Sequence, residues 1–285
     1  MSACDYLIIG GGPAGLSAAR GLARKHRVTL LEKAAELGGA FRGAALATAT
    51  AVVAPTPGPE LLARMCAGLD SHARVLRSGA QRLAATPNGW SCHTDKGEVI
   101  TANRVVLACG AKPRDGGMTH DGRQIWVGPN QMTRSDWIHR RVAILGGGDN
   151  AIEFAALIKD DVAAMAIYAR RSAVHRGMES SFMAVHHCWR LGPYTAHPMT
   201  MSIEAGGDRE VFDAFVVMYG WEANLPQGLE DLALDGGFVR VDGDFQTSLP
   251  GVYAIGDICR RPLPSVWYAI NDGYALSHAK DLLFD

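Results

Sequence analysis

The fold of this 285-residue chain is decided by Leu7-Ile8-Ile9-Gly10-Gly11-Gly12-Pro13-Ala14-Gly15, near its N-terminus. An apolar run that ends in glycines predicts a buried strand followed by a tight turn. Small and apolar residues from Ala14 to Arg24 favour a helix, and a second apolar run, Val28–Glu32, ends on an acid. Strand, turn, helix and strand in this order predict a βαβ unit.

The turn of this unit has the spacing G-x-G-x-x-G, which is typical of dinucleotide sites. Gly10 permits the tight turn, Gly12 lets the backbone approach a pyrophosphate, and Gly15 lets helix and strand pack closely. A helix that begins at Pro13-Ala14 directs its unpaired N–H groups at the phosphates. Glu32 follows Gly10 by 22 residues, where an acid accepts hydrogen bonds from a ribose. These features together predict a bound dinucleotide.

A second turn of the same kind, Gly146-Gly147-Gly148-Asp149-Asn150-Ala151, begins 136 residues after the first. It lies within another strand, helix and strand pattern, and Ala151 is an allowed variant of the third glycine. No acid ends its second strand; Arg170-Arg171 stands there instead, with Arg176 following. An acid would repel a 2′-phosphate, whereas guanidinium groups bind one. The second turn therefore predicts an NADPH site.

Composition excludes several classes of function. The formal net charge is −1, so no global basic field would attract nucleic acid or anionic lipid. No apolar stretch approaches the roughly 18 residues of a membrane span. The first residues lack the pattern of a secretory signal. We therefore expect a cytoplasmic protein without nucleic-acid or membrane partners.

The cysteines and histidines indicate neither a dithiol nor a metal centre. No two of the six cysteines lie within three residues of each other, so the chain has no C-x-x-C. The segment His186-His187-Cys188, with His175 and His197 nearby, lacks the ligand spacing of a tetrahedral metal site. We therefore predict no metal. Whether Cys109, His175 or His186 has a catalytic role is left open.

Taken together, the motifs resemble the low-molecular-weight thioredoxin reductase family of two-domain flavoproteins. The resemblance covers nearly the whole chain and depends on six segments: Gly10–Gly15 with Glu32-Lys33, Gly38-Gly39, Val106–Gly110, Gly146–Glu153, Arg170–Arg176 and Gly251–Asp257. Directly before the fifth segment, Ala169 stands in place of the family's histidine, and within the segment one extra residue precedes the last arginine. The resemblance implies an α/β fold with two Rossmann-like, three-layer dinucleotide-binding domains.

The resemblance also implies how the cofactors are held. The FAD domain would comprise residues 1–114 and 244–285, with an NAD(P)H domain of residues 118–242 inserted between them. The FAD positions correspond to Gly10, Gly12, Pro13, Ala14, Gly15, Glu32, Lys33, Gly39, Cys109, Gly110, Gly256, Asp257, Ser265 and Val266. The NADPH positions correspond to Gly146, Gly148, Asp149, Asn150, Ala151, Arg170, Arg171 and Arg176. Family members are commonly homodimers, so a homodimer is expected.

Two of these positions have implied roles toward the flavin itself. In the family, the equivalent of Asp257 bonds the ribityl chain. The N-terminus of the last helix, at Ser265 and Val266, faces the pyrimidine end of the flavin, where its dipole stabilises the reduced anion.

The departures from the family concern the electron acceptor. Thioredoxin reductases carry a C-x-x-C shortly before the second glycine strand, and about Pro129 and Met132 occupy those places here. Without thiols, flavin electrons cannot be relayed through a dithiol. Ala14 replaces the cysteine expected of a bacillithiol-disulfide reductase. Ferredoxin–NADP reductases of this architecture also lack C-x-x-C, but they usually extend into an aromatic C-terminal segment, whereas this chain ends at Leu283-Phe284-Asp285.

We therefore predict an FAD-dependent oxidoreductase in which NAD(P)H reduces FAD and the electrons pass directly to an unidentified redox protein or small molecule. The cofactors carry this chemistry, so no protein acid or base is required. One alternative is a flavin-dependent oxidase of a biosynthetic substrate with a vestigial nicotinamide site. Another is a non-catalytic regulatory protein that binds flavin or nucleotide.

Overall fold

The chain divides into two compact units. One comprises Met1–Lys112 with Glu222–Asp285, and the other comprises Pro113–Trp221, which is therefore an insertion in the first. The computed structural model describes residues 2–43, 46–47, 56–69, 73–129, 132–171, 179–261 and 265–279. Within these ranges, no helix is long and apolar enough to cross a membrane.

Short strands outnumber helices in the described residues. The helices are α1 (Pro13–Leu22), α2 (Gly58–Cys66), α3 (Arg134–Trp137), α4 (Asp149–Ile158), α5 (Glu179–Val185) and α6 (Val266–Ala279). The strands are β1 (Ser2–Ile9), β2 (Val28–Leu31), β3 (Leu46–Ala47), β4 (Thr56–Pro57), β5 (Arg74–Leu76), β6 (Ala80–Thr86), β7 (Gly89–Thr94), β8 (Val99–Leu107), β9 (Ala111–Pro113), β10 (Ile125–Val127), β11 (Arg141–Leu145), β12 (Ala164–Ala169), β13 (Trp189–Leu191), β14 (Tyr194–His197), β15 (Ser202–Ala205), β16 (Asp208–Val211), β17 (Ala214–Val217), β18 (Trp221–Ala223), β19 (Leu234–Asp235), β20 (Phe238–Val239) and β21 (Val252–Ala254).

The first unit is built on a sheet with the strand order β5-β2-β1-β8-β7-β6, in which β21 also pairs with β8. Strand β1 runs parallel to β2 and β8, with Ile9 opposite both Leu31 and Leu107. The two faces of β1 enter different apolar clusters, Leu7 on one side and Ile8 on the other. Because both faces are buried there, the second half of the strand, Tyr6–Ile9, is a continuous apolar run.

Helices α1 and α6 pack against each other with almost no space between their backbones. A Cβ on Gly273 would lie 2.4 Å from the carbonyl oxygen of Ala14, and one on Gly21 would lie 2.1 Å from Oγ of Ser277. Leu16 is fully buried in the same cluster as Ile8, which stabilises the unit by about 2 kcal/mol. This packing holds the N-terminus of α1 at the carboxyl end of β1.

The second unit contains a parallel sheet with the strand order β10-β17-β11-β12-β13. Helix α4 connects β11 to β12 and buries Ile152 and Ile158 in the cluster that contains Ile144. The antiparallel strands β14, β15 and β16 form a small sheet, and Tyr194 contacts Tyr168 with ring centroids 5.5 Å apart. The predicted α/β class, with a βαβ unit in each half of the molecule, is confirmed.

The return of the chain to the first unit differs from the expected boundary. The sequence placed residues up to 242 in the inserted domain, whereas the first unit resumes at Glu222. Ala223, Leu229 and Val239 are buried in the same apolar cluster as Val105 of β8. These side chains are spaced without regular period, so the sequence pattern could not show that they share the core of the first unit.

Candidate functional site

The first glycine turn joins β1 to α1 and excludes a side chain at two positions. Gly10 has a φ of +111°, and its N–H donates to the carbonyl of Leu31 at 2.8 Å. A Cβ on Gly10 would lie 2.3 Å from the carbonyl oxygen of Ala108, and one on Gly15 would lie 1.9 Å from the carbonyl oxygen of Gly10. Only glycine fits both places, so the helix begins directly above the strand end.

The N-terminus of α1 has the features that a pyrophosphate needs. Gly12 is the N-cap residue with an extended backbone, Pro13 follows it, and no side chain among the described residues caps the helix. A Cβ on Gly12 would meet nothing within 4 Å, and one on Gly39 would lie 3.3 Å from Cα of Gly12. The end of this ten-residue helix carries about half a positive charge and unpaired N–H groups. These residues therefore fit the diphosphate of FAD.

Glu32 is fixed by the turn itself. It is 7% exposed, and its two carboxylate oxygens accept hydrogen bonds from the N–H groups of Gly11 and Ala34, each at 2.8 Å. Each oxygen keeps a further lone pair, so the carboxylate can still accept from ribose hydroxyls. Lys33, the next residue, is exposed. The predicted acid is thus held at the carboxyl end of β2, beside the turn.

A third segment, Gly256-Asp257, reaches the same place from β21. Gly256 has a φ of +75°, and a Cβ there would lie 2.8 Å from Cβ of Ala14. The pKa of Asp257 is raised because its carboxyl group is partly desolvated and lies near Asp272, an effect that Arg261 partly offsets.

Ser265 precedes α6, and its Oγ accepts a hydrogen bond from the N–H of Tyr268 at 3.3 Å, so it caps the helix that begins at Val266.

Cys109-Gly110 follows β8 and completes the ring of segments around the first turn. Cα of Cys109 would lie 3.0 Å from a Cβ on Gly10, and Sγ of Cys109 contacts the carbonyl oxygen of Ile9 at 3.3 Å. Burial raises the pKa of this thiol to about 12, so it remains protonated and unreactive at neutral pH. Gly110 has a φ of +68°. The carboxyl ends of four neighbouring strands therefore meet at one candidate FAD site.

The second glycine turn repeats the geometry of the first. Gly146 has a φ of +143°, its N–H donates to the carbonyl of Tyr168 at 2.9 Å, and a Cβ there would lie 2.0 Å from the carbonyl oxygen of Met218. Gly148 is the N-cap residue of α4, again without a side-chain cap among the described residues. Asp149 and Asn150 open the helix, and Ala151 is fully buried in the place of Gly15.

The two units differ at the residue that follows the last pairing between the first and second strands of each βαβ unit. Ile9 pairs with Leu31, and Leu145 pairs with Tyr168, so Ala169 occupies the position of Glu32. Ala169 is 1% exposed, and Cβ of Ala169 would lie 2.7 Å from a Cβ on Gly147. Arg170 and Arg171 follow and are exposed. Arg176 and His175 lie outside the described residues.

Two tyrosines beside this position were not predicted from the sequence. The ring of Tyr194 lies 6.0 Å from the guanidinium carbon of Arg170, and its hydroxyl bonds that of Tyr219 at 3.1 Å. Burial raises the pKa of both phenols, so both remain neutral hydroxyls. Tyr219 follows Met218 at the carboxyl end of β17, next to the glycine turn. Its position at a strand end was the signal that could have identified it.

The positions of the family's dithiol hold no redox group. Pro129 follows β10, and Met132 packs against the apolar core of the second unit. The six cysteines are free thiols: Cys4, Cys66, Cys92, Cys109, Cys188 and Cys259. The described residues include no group of three or more potential metal ligands. Nδ1 of His186 contacts the carbonyl of Met183 at 2.8 Å, which gives this histidine a structural partner in the last turn of α5.

Comparison with known proteins places this chain in a family. Residues 4–187 and 196–273 match the sequence pattern of the pyridine nucleotide-disulphide oxidoreductase family. A ferredoxin–NADP reductase from Limosilactobacillus fermentum is 30% identical over 287 residues, which cover 89% of this chain and 85% of that protein. Another, from Gluconacetobacter diazotrophicus, is 27% identical and covers 96% of this chain and 90% of its own.

Solved structures show the same fold. The thioredoxin reductase of Lactococcus lactis superimposes with a TM-score of 0.75 at 19% identity, and 98% of each chain is covered. The expected resemblance to thioredoxin reductases is therefore confirmed for the fold, although the relatives named above are ferredoxin–NADP reductases. The chain belongs to the pyridine nucleotide-disulphide oxidoreductase family, and it is an FAD-dependent NAD(P)H oxidoreductase.

Proposed function

We propose that this enzyme takes electrons from NADPH through FAD and delivers them directly to an external redox protein of the ferredoxin type. The observation that carries the proposal is the exchange of Glu32 in the first unit for Ala169 in the second, followed by Arg170 and Arg171. Without an acid at that strand end, a 2′-phosphate meets no repulsion, and the guanidinium groups can bind it. This supports NADPH over NADH.

The electron acceptor is inferred from the absence of the dithiol cysteines and from the names of the relatives. With Pro129 and Met132 in the dithiol positions, reduced flavin has no thiol relay to a disulfide substrate. The relatives from L. fermentum and G. diazotrophicus are named as ferredoxin–NADP reductases. Both points favour a one-electron redox protein over thioredoxin as the partner.

The residues of the chain bind and orient the cofactors. We propose that the Gly10–Gly15 turn and α1 hold the FAD diphosphate, that Glu32 accepts from its ribose, and that Asp257 accepts from its ribityl chain. The turn at Gly146 and the arginines after β12 would hold NADPH. When bound, the flavin and the nicotinamide supply the hydride-transfer chemistry.

The test is an anaerobic titration of the FAD-loaded protein with NADPH and with NADH. The readout is the decrease in the absorbance of the oxidised flavin. We expect NADPH to bleach the flavin at a lower concentration than NADH. A flavin that stays oxidised with both nucleotides would contradict the proposal and favour a vestigial nicotinamide site.

The acceptor is tested by comparing turnover with an oxidised ferredoxin, with thioredoxin and with oxygen, at equal NADPH. We expect ferredoxin to be reduced fastest, with thioredoxin at the background rate. Reduction of thioredoxin at a rate equal to that of ferredoxin would rule out the proposed acceptor class.

The resemblance to the family also leads us to propose a cytoplasmic homodimer. Light scattering of the purified FAD-loaded protein measures its mass directly. A mass of one chain at micromolar concentration would count against the dimer.

A further inference from the structure

Asp272 is a buried acid of α6 that belongs to none of the cofactor motifs. Its side chain is 4% exposed. Its Oδ2 accepts a hydrogen bond from the N–H of Gly256 at 2.9 Å and another from the guanidinium of Arg261. A buried carboxylate persists only when it is paired and hydrogen-bonded. Gly256 precedes Asp257 in the sequence and Arg261 follows it, so Asp272 is bonded to residues on both sides of Asp257.

Arg261 differs sharply from the neighbouring Arg260. Arg260 pairs with Asp235 at 3.0 Å, and both side chains are more than half exposed, at 64% and 58%. Arg261 pairs with Asp272 while only 21% of its side chain is exposed. An exposed pair contributes little to stability, whereas breaking a buried pair leaves an uncompensated charge. Adjacent arginines therefore offer a matched comparison within the first unit.

Phe245 adds a strained backbone to this group. It has a φ of +63°, which is unusual for an aromatic residue, and its ring centroid lies 5.9 Å from the guanidinium carbon of Arg261. Its carbonyl accepts a hydrogen bond from the N–H of Ala254 at 3.0 Å, at the end of β21. Such strain persists only where surrounding contacts over-determine it. These contacts converge on the segment that leads into Gly256.

We propose that Asp272, Arg261 and Phe245 form a clamp that positions the Gly256-Asp257 turn for FAD. The three residues approach the turn from three separate segments: α6, the stretch after Asp257, and the loop before β21. Asp272 holds the turn by its hydrogen bond to Gly256, Arg261 neutralises Asp272, and Phe245 covers the guanidinium. The clamp rests on FAD binding to the first unit and is independent of the acceptor proposed above.

The electrostatics agree with this arrangement. Among the charged groups near the Asp257 carboxyl, Asp272 raises its pKa and Arg261 lowers it. The clamp residues therefore act on the charge of Asp257 as well as on the backbone that carries it. Arg261 and Phe245 act on the turn through Asp272 and its hydrogen bond to Gly256, which makes the three positioning residues.

The test compares FAD dissociation constants of Asp272→Ala, Asp272→Asn and the control Asp235→Ala, measured by flavin fluorescence quenching on apoprotein. We expect Asp272→Ala to weaken FAD binding about tenfold or more, since it leaves Arg261 and the Gly256 N–H unpaired. Asp272→Asn keeps an acceptor for Gly256 and should lie between that variant and wild type. Asp235→Ala should bind FAD as wild type does. Equal constants for the Asp272 and Asp235 variants would overturn the clamp.

A double-mutant cycle separates positioning from general packing. If Asp272 acts through the turn, Asp257→Ala should weaken FAD binding less in the Asp272→Ala background than in wild type. Additive losses, with a lower melting temperature of the apoprotein, would reduce Asp272 to a packing residue and overturn the clamp. Where Asp272→Ala does not fold, Arg261→Gln against Arg260→Gln repeats the comparison. Wild-type protein that binds no FAD would contradict the proposed function instead.

Discussion

The two βαβ units of this molecule share a backbone and differ at one strand end. Gly10 and Gly146 both have positive φ values, and each donates to the carbonyl of the last residue in the neighbouring strand that pairs with its own strand. The next residue is Glu32 in one unit, bonded to the turn, and Ala169 in the other, packed beside Gly147. We therefore propose that the glycine backbone provides the diphosphate site in both units, and that the residue at this strand end selects the ribose that each site accepts.

The largest expected effect comes from placing a side chain on the first glycine of each turn. Gly10→Ala drives a Cβ to 2.3 Å from the carbonyl of Ala108, and Gly146→Ala drives one to 2.0 Å from the carbonyl of Met218. Backbone strain and overpacking together cost roughly 2–6 kcal/mol. We expect Gly10→Ala to lose FAD and Gly146→Ala to keep FAD but lose NADPH reduction. Flavin absorbance and anaerobic titration measure the two separately.

A third glycine separates strain from collision. Gly97 has a φ of +79° but open space around it. Gly97→Ala therefore carries the backbone strain without the clash, and we expect both cofactor sites to survive in this control. If Gly146→Ala lost FAD as completely as Gly10→Ala, the two turns would not serve separate cofactors.

Alkaline pH should separate the units next. Burial raises the pKa of Cys92, Cys109 and Cys259, all in the first unit, to about 12 from an ordinary value of 9.0. The folded state holds these protons more tightly, so their contribution to stability is complete below pH 9 and is lost as pH rises toward about 12. The loss is on the order of 1 kcal/mol per thiol per pH unit above pH 9.

In the described part of the second unit, the thiol and phenol groups with a raised pKa are one cysteine and three tyrosines. Burial raises the pKa of Cys188 from an ordinary value of 9.0, and that of Tyr168, Tyr194 and Tyr219 from 10.0, so most of this unit's loss of stability begins a pH unit later. Pulsed alkylation in urea at pH 8 and pH 10, read by mass spectrometry, follows Cys92 and Cys259 for one unit and Cys188 for the other. Between pH 8 and pH 10, we expect the urea midpoint reported by Cys92 and Cys259 to fall further than the midpoint reported by Cys188. Equal shifts would contradict the difference between the units.

The parts of the fold that sequence could predict are those with a strict local rule. Gly10, Gly15 and Gly146 were identified because no other residue fits their backbone and contacts. Glu32 was identified by its distance from the turn, which the parallel register of β1 and β2 enforces. Local periodicity and fixed spacing are sufficient for such positions.

The parts that sequence could not predict depend on contacts between distant segments. The segment from Glu222 joins the first compact unit through irregularly spaced apolar residues, whereas the sequence motifs led us to expect this return at residue 244. Tyr194 reaches Arg170 from a separate sheet, and Asp272 reaches Gly256 from a helix 16 residues away. The motifs also did not single out ferredoxin–NADP reductases, the name that two of the relatives carry.

One substitution can remove the difference between the two strand ends. Ala169→Glu places an acid where Glu32 stands, within reach of the N–H of Gly147, as Glu32 is of Gly11. The added charge repels a 2′-phosphate, so we expect the ratio of kcat/KM for NADPH to kcat/KM for NADH to fall roughly thirtyfold. This change corresponds to about 2 kcal/mol of lost preference for NADPH. Ala169→Gln has nearly the same size without the charge and is the matched control. A similar fall in both variants would indicate crowding rather than electrostatic discrimination.

The smallest expected effect is that of removing one guanidinium. Arg170 is exposed, and Arg171 remains beside it, so Arg170→Ala should lower the NADPH preference by about 1–1.4 kcal/mol, or roughly five- to tenfold. Because exposed charges are screened, this loss should shrink as ionic strength rises from about 0.01 M to 1 M. Arg134→Ala removes another exposed guanidinium of the same unit, one paired with Asp161, and should leave the preference unchanged. A loss that does not depend on salt would mean that Arg170 acts by stacking on Tyr194 and not by binding the phosphate.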